Sequence, residues 1–404
     1  MPLFVLYNPV SGDGTAERFL RDHVVPILSQ NGKIVDQVHA TQSATHAGQL
    51  LINFLESRSL GDDEITVILC SGDGTLHDIV NALQSTTSDQ STVDLLTTHL
   101  NFVLVPCGTA NALYASLFPL KDSDPSDAVY KLQSLHAYIN KRLSGATPLV
   151  LARTTNMMAQ KALSVTIALV VVSTSLHAAI LRDSEILRNT MPGVERFKVA
   201  ARNNVTTWYK SNVNLAPGTS MSTVQLYDPK VKAFITHPDS TTNGSKITLK
   251  GPFSYFLSTI NVDRLEPKFQ ITSLAKVLPP TEISCDVVIV RPLRDPSMDK
   301  DNHDSRRLFS PKMWSILESA YQEGRHVDLR YDSKGEISID GDGPTVVEYI
   351  RCGTWEWIPE IGSADLDADV LCSDGAISHI KSGGKVVFSV VNPDEGPILY
   401  TVST

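Results

Sequence analysis

Cysteine is scarce. The chain of 404 residues holds five, Cys70, Cys107, Cys285, Cys352 and Cys372, an odd number with no CxxC spacing. That argues against a disulfide framework or a thiolate zinc site and matches a reducing compartment. Cys70 and Cys107 lie one or two residues from glycine turns and read as small buried hydrophobes rather than reactive thiols. Long apolar runs are missing too, apart from Ala162 to Leu181, which has no Lys, Arg, Asp or Glu. Rich in Val, Ile, Thr and Ser and containing His177, it reads as a buried strand followed by a second segment rather than a membrane span. The opening Met1-Pro2-Leu3-Phe4-Val5-Leu6-Tyr7 has no basic region, so it reads as a first strand rather than a leader. There is no polybasic run and no obvious lipidation signal. A net charge of −9 argues against a general nucleic-acid binder, which needs a basic face. No GxxxxGK[ST], no GxGxxG opening a helix after a strand, no HExxH and no HRD/DFG pair occurs, so P-loop, dinucleotide-binding, zincin and protein-kinase chemistries have no sequence support.

What is present is a globular composition, 42% hydrophobic and 20% charged, and enough length for two domains. Over the first ~120 residues strand and helix patterns alternate four times, which argues for βαβ units on a parallel sheet. Strands are expected at 3–7, 33–38, 65–69 and 101–105. Helical spacing recurs at Phe19, Leu20, Val24, Ile27 and Leu28, with Pro26 inside the pattern, and at Ala47, Leu50, Leu51 and Phe54. Leu76, Ile79, Val80 and Leu83 form a third stripe. From about residue 146 strand-like runs dominate, punctuated by Gly, Pro, Asn, Asp and Ser, so a mostly β second domain is expected. Helices are expected within it at 187–209 and 313–322, and Asp295 to Arg306 reads as a mobile polar loop. The expected division is 1–144 and 145–404, with 361–404 as an extension of open packing.

Three strand-to-helix turns carry the polar and glycine-rich residues: Asn8–Gly14, Ser71–Thr75 and Gly108–Asn111. In open α/β sheets such turns gather at the carboxyl ends of the strands, where ligands bind. Ser71-Gly72-Asp73-Gly74 puts two glycines and a carboxylate at a helix mouth. Glycine lets backbone approach a ligand, and helix N-termini suit phosphate. A carboxylate there points to chemistry on phosphate rather than simple phosphate holding. Gly72 and Gly74 can also be plain turn formers, Asn8 a strand-end residue and Thr41 an N-cap. His46 and His77 read as packed or capping residues.

The ordered set resembles the diacylglycerol kinase catalytic domain family, and most of all its sphingosine (sphingoid long-chain base) kinase branch, with ceramide kinase a near relative. The resemblance rests on Asn8-Pro9, Thr41 with His46-Ala47, Ser71-Gly72-Asp73-Gly74 with His77-Asp78 and Val80-Asn81, and Pro106-x-Gly108-Thr109-x-Asn111-Ala112-Leu113. It continues in Asp183-Ser184-Glu185-x-x-Arg188, Arg196-Phe197, Val290-Arg291, Gly324-Arg325-His326 and Asp340-Gly341-Asp342. It implies an N-terminal α/β domain with a parallel sheet, of NAD kinase and diacylglycerol kinase type, followed by a C-terminal antiparallel β-sandwich domain, with ATP in the cleft. Asn8, Thr41, Ser71, Gly72, Gly74, Gly108, Thr109, Arg188, Arg196 and Asp340 then correspond to nucleotide contacts, and Asp73 to the base that takes the lipid hydroxyl proton. ATP, Mg²⁺ and a lipid with a free primary hydroxyl are implied, as is a cytoplasmic protein with peripheral membrane contact.

Three departures stand out. Ala110 replaces a usual glycine, Asp342 replaces a usual Glu, and Leu181 stands where sphingosine kinases place an Asp that holds the lipid head group. Leu181 and Asp183 therefore mark the candidate lipid site. Diacylglycerol or ceramide as acceptor, an NAD-kinase-like enzyme, and a catalytically weak binding module are the alternatives.

Overall fold

A computed structural model describes residues 1–58, 64–86, 98–120, 124–140, 146–191, 193–219, 221–240, 246–362, 366–392 and 398–402. Two compact units emerge. One comprises Met1–Leu151, Leu265–Pro267 and Val391–Thr404, and the other Ala152–Arg264 and Lys268–Val390.

The first unit is built on a six-stranded sheet. Its order is Gln37–Ala40, Leu3–Tyr7, Glu64–Ser71, His99–Pro106, Leu399–Val402, Ala146–Pro148. The first five strands run parallel and the last is antiparallel to its neighbour. Strands Leu3–Tyr7, Glu64–Ser71 and His99–Pro106 are buried almost throughout, as strands covered on both faces must be. The helices bury the stripes read from spacing. Ala47, Leu51 and Phe54 of His46–Glu56 are at most 2% exposed, whereas Leu50 is only half-buried, and Leu76, Ile79, Val80 and Leu83 of Asp73–Thr86 are at most 2% exposed. These two helices touch closely, because a Cβ on Gly48 would lie 2.2 Å from the Ala82 Cβ.

Two local expectations are corrected. The second strand is Gln37–Ala40 rather than 33–38, and Asp36 ends the preceding turn by accepting the Leu3 N–H at 2.8 Å. The helical stretch around Pro26 is neither broken nor simply kinked. It passes from Ala16–Phe19 through a π-turn, Leu20–Val24, into Val25–Gln30. A proline has no N–H and crowds the carbonyl four residues back, and a wider turn just before it relieves both problems.

Among the described residues the second unit holds two large antiparallel sheets and a two-stranded one, Arg330–Tyr331 with Ile337–Ser338. One has eight strands, running from Ala233–Thr236 at one edge to Ala376–His379 at the other. The second has six, from Ile247–Lys250 to Lys161–Ala168. They pack face to face through aromatics: Trp355 and Trp357 of Thr354–Pro359 lie 5.1 and 5.2 Å, ring to ring, from Phe256 of Tyr255–Thr259. Trp355 Nε1 donates to Ser258 Oγ across the same gap. The apolar run 162–181 divides into strands Lys161–Ala168 and Val171–Thr174 and the start of helix Ser175–Leu187. Among the described residues no helix is long and apolar enough to cross a membrane. The expected helix 187–209 is instead the end of Ser175–Leu187 followed by Glu195–Asn204.

Residues 295–306 do not form a loose loop. Asp295 is buried and paired with Lys312, Arg306 binds Asp301 through two bonds, and Asn302 caps helix His303–Ala320 by accepting the Ser305 N–H. Polar residues that satisfy one another read like a solvated segment in sequence. The tail packs in two places. Strands Val370–Ser373, Ala376–His379 and Gly384–Val390 belong to the second unit's sheets, whereas Leu399–Val402 returns to the parallel sheet.

Candidate active site

The sheet order sets the site. From Leu3–Tyr7 the chain crosses to the neighbouring edge strand, and from Glu64–Ser71 it goes the opposite way. The turns after those two strands therefore flank a topological switch point, where open α/β sheets bind ligands. The turn after His99–Pro106 lies beside them. Asn8 N–H donates to the Cys70 carbonyl at 3.2 Å, and Cys107 N–H donates to the Ser71 carbonyl at 3.0 Å. Side chains then lock the turns: Ser71 Oγ and Thr75 Oγ1 are 2.6 Å apart, Asn8 Nδ2 donates to Thr75 Oγ1 at 3.3 Å, and Ser71 Oγ reaches Ser11 Oγ at 3.5 Å.

Glycine is required where the backbones touch. A Cβ on Gly108 would stand 2.6 Å from Gly72 Cα, and one on Gly12, at φ +57, would stand 2.4 Å from the Cys107 carbonyl oxygen. Gly74 differs: it is exposed, and nothing lies within 4 Å of where its Cβ would be, whereas Thr75 and Leu76 beside it are buried. The Thr75 N–H already donates to the Gly72 carbonyl at 3.2 Å, and a helix N-terminus of this kind suits an anion. Thr109 is exposed in the third turn. Thr41 is 7% exposed, its N–H bound to the Tyr7 carbonyl at 2.9 Å. It does not open the following helix, which starts at His46 after Thr45 at φ +70. His46 Nδ1 accepts the Gln42 N–H at 3.1 Å, and His77 is buried.

Asp73 is held more firmly than its sequence setting indicates. Its Oδ2 accepts the Ala112 N–H at 2.6 Å and its Oδ1 the Leu113 N–H at 3.2 Å. It thus caps the helix Ala112–Leu117. Asn111 does not cap its own helix, because it sits in the left-handed region at φ +53 and turns its side chain back. Asn111 Oδ1 accepts the Gly108 N–H and its Nδ2 donates to the Gly108 carbonyl, both at 2.8 Å. Ala110, which stands where the family has glycine, does not take a positive φ: that falls on Asn111, a residue that tolerates it. Thr75 and Asn111 are the two organising residues that reading the motifs did not single out. Both stand inside the quoted turns, but only tertiary contacts show what they join. Cys70 and Cys107 are buried, and burial pushes the Cys107 thiol up to about 11, in keeping with inert packing.

The remaining predicted residues lie in the second unit. Arg188 is half exposed and pairs with Glu185 at 2.6 Å. Arg196 is 6% exposed. Its Nη1 donates to the Gly193 carbonyl at 2.8 Å, while its buried Nε has no hydrogen-bond partner. Burial first, and the Arg188 charge second, push this guanidinium below its usual range. Two like charges with an orphaned donor suit an anion. Asp340 is exposed beside Gly341, whose carbonyl accepts from Arg330 Nε. Leu181 packs against the buried cluster of Ala178, Val370 and Cys372. Asp183 is engaged by Arg182 Nε and Asn204 Nδ2, each at 2.7 Å. Burial raises its carboxyl, but those two partners outweigh it and hold the group below its usual range. Among the described residues no three His, Cys, Asp or Glu side chains gather as a metal cage.

Residues 2–139 match the family model described as the diacylglycerol kinase catalytic domain. Among curated proteins, 115 residues are 33% identical to human sphingosine kinase 1, covering 28% of this chain and 27% of that protein. A stretch of 111 residues is 32% identical to human sphingosine kinase 2, covering 28% of this chain and 15% of that protein. The match thus spans about a quarter or less of those relatives. A solved structure of a diacylglycerol kinase from Bacillus anthracis str. Sterne covers all of this chain and 97% of its own, with a TM-score of 0.50 and 10% identity. At that identity it establishes the fold alone. Residues 2–139 thus resemble the diacylglycerol kinase catalytic domain family, and within it the sphingosine kinases.

Proposed function

We propose that this protein is an ATP-dependent lipid kinase that transfers the γ-phosphoryl group of ATP to the primary hydroxyl of a sphingoid base. The observation that carries the reading is the meeting of three turns at the switch point, with a carboxylate fixed at the mouth of a helix beside an exposed glycine. Phosphoryl transfer asks mainly for positioning and charge stabilisation. In this reading the backbone of Gly72, Gly74, Gly108 and Thr109, with the side chains of Asn8, Thr41 and Ser71, holds the nucleotide. By the resemblance alone, Arg188 and Arg196 are assigned to phosphate charge and Asp340 to nucleotide contact. The lipid oxygen bonds to the γ-phosphorus as the bond to the β-phosphate oxygen breaks, ADP leaves, and Asp73 accepts the hydroxyl proton. The bonds from the Ala112 and Leu113 N–H groups fix the orientation of Asp73. Mg²⁺ keeps most of its shell as phosphate and water and needs only one or two carboxylates. It would arrive with ATP as part of the nucleotide substrate.

A second reading takes diacylglycerol or ceramide as acceptor. It is favoured by position 181, where a leucine sits in an apolar cluster, and by Asp183, whose oxygens already have partners. A protonated amine would find no free carboxylate at either position. The deciding experiment incubates the full chain with labelled ATP and Mg²⁺ against sphingosine, ceramide, diacylglycerol and NAD. A labelled lipid supports the kinase reading and identifies the acceptor. Label on NAD alone reverses it, and nucleotide binding without turnover on any acceptor supports a binding module.

A further inference from the structure

Charge is unevenly spread along this acidic chain. Residues 128–182 contain no Asp or Glu, while Lys131, Lys141, Arg142, Arg153, Lys161 and Arg182 fall there. Within that run the hairpin Ala152–Met158 and Lys161–Ala168 closes one edge of the six-stranded sheet. All eight residues from Met158 to Val165 are exposed. Met158 is 39%, Leu163 40% and Val165 52% exposed, unusual values for apolar side chains on a strand pair. The next strand extends the surface. Gly384 pairs with Met158, and its N–H donates to the Lys381 carbonyl, which places the turn 381–383 at the same sheet end. Ile361, 78% exposed, reaches that turn: its Cδ1 would lie 3.9 Å from a Cβ on Gly383. Glu360 is the neighbouring acid.

We propose that this sheet end is a docking surface for an anionic lipid bilayer. Met158, Leu163, Val165 and Ile361 enter the interface, and Lys161 and Lys381 meet the lipid phosphates. The pairing of an apolar tip with flanking lysines is what interfacial binding requires. The hairpin itself disfavours a second copy of the chain as occupant. Its register slips at Asn156/Met157, and Lys161 stands on the edge strand, two devices that block edge-to-edge pairing. The inference rests on the lipid-kinase reading for its biological purpose and stands apart from it experimentally.

The test is co-sedimentation of the full chain with vesicles of phosphatidylcholine, alone or with a third replaced by phosphatidylserine. Binding to the anionic vesicles is expected, and it should weaken as salt rises. The double substitution Leu163→Glu with Val165→Glu should cut it by roughly tenfold or more. Both positions are exposed, so the melting temperature should hold. If it falls, Lys161→Glu with Lys381→Glu gives the independent reading, lowering binding to anionic vesicles while sparing the fold. Wild-type binding that ignores phosphatidylserine, or variants that bind like wild type, would overturn the proposal. So would a concentration-dependent dimer that the hairpin variant dissolves. Acceptor dispersed in detergent separates the two ideas: no phosphorylation there defeats the kinase reading, whereas hairpin-dependent vesicle binding stands or falls alone.

Discussion

Replacing Asp73 by Asn removes a charge from a carboxylate that has two separate duties in this reading. Each oxygen accepts a backbone N–H from the start of Ala112–Leu117, at 2.6 and 3.2 Å. An asparagine offers one oxygen, so one of those N–H groups would face an amide N–H₂. Hydrogen bonds to charged groups contribute about 1.5–3 kcal/mol, and losing a helix cap costs about 1 kcal/mol. With partial relaxation a loss of about 2 kcal/mol is expected, which for a unit of roughly 170 residues lowers the melting temperature by about 4–8 °C. As the base, Asp73 should also contribute about 10²–10⁴-fold to turnover. The assay is therefore paired: thermal unfolding of Asp73→Asn, and its kcat on whichever lipid the wild type phosphorylates, measured well below the melting temperature. An unchanged melt refutes the capping role. Turnover within a few-fold of wild type refutes the base. A variant that is inactive only because it is unfolded shows itself by regaining activity on cooling, which loss of the base would not allow.

Three further outcomes follow from the same geometry. Gly108→Ala must push its new methyl into Gly72 Cα, so nucleotide affinity should fall at least ~tenfold and stability by about 1–3 kcal/mol, read by calorimetry and melting. Arg196→Met removes a buried orphan donor together with a charge; ATP affinity should fall about tenfold while the melt stays level or rises, and unchanged affinity would remove Arg196 from the site. Burial pushes the Glu356 carboxyl up, but hydrogen bonds from Lys246, Lys385 and Asn214 outweigh it and bring it from the ordinary 4.5 down to about 2. Its stabilisation is therefore complete above the ordinary value and is lost as pH falls from about 4.5 towards 2. Glu356→Gln should be less stable than wild type at neutral pH, with the gap closing across that window in acid unfolding curves.

The glycine turns and helix stripes were readable from sequence because their demands are local. Gly72, Gly108 and Gly12 are glycines for steric reasons that a turn pattern announces, and the stripes at Ala47, Leu51 and Phe54 or at Leu76, Ile79 and Val80 follow helical spacing directly. What failed was long-range or compensatory. The π-turn before Pro26 and the buried Asp295–Lys312 pair are solutions found by the surrounding structure. The return of Leu399–Val402 to a sheet begun near residue 3 leaves no mark within either segment. Asp73 lies between these cases: its place at a helix mouth was legible, but its bonds to a helix 39 residues away were not.

The acceptor end is harder to read for a different reason. A phosphate is recognised by backbone N–H groups and guanidinium groups, which few geometries provide, so the residues that bind it are conspicuous. An acyl chain is recognised by apolar side chains that look like any core. Only the polar head group could have left a sequence signature, and at the two positions where one was sought, Leu181 joins an apolar cluster and Asp183 is committed to Arg182 and Asn204. If the acceptor is a sphingoid base, its amine must find another partner. If it is an uncharged lipid alcohol, none is needed. Leu181→Asp separates the two cases: a rise in the ratio of sphingosine to ceramide or diacylglycerol turnover means that the head group passes position 181, and an unchanged ratio means that it does not.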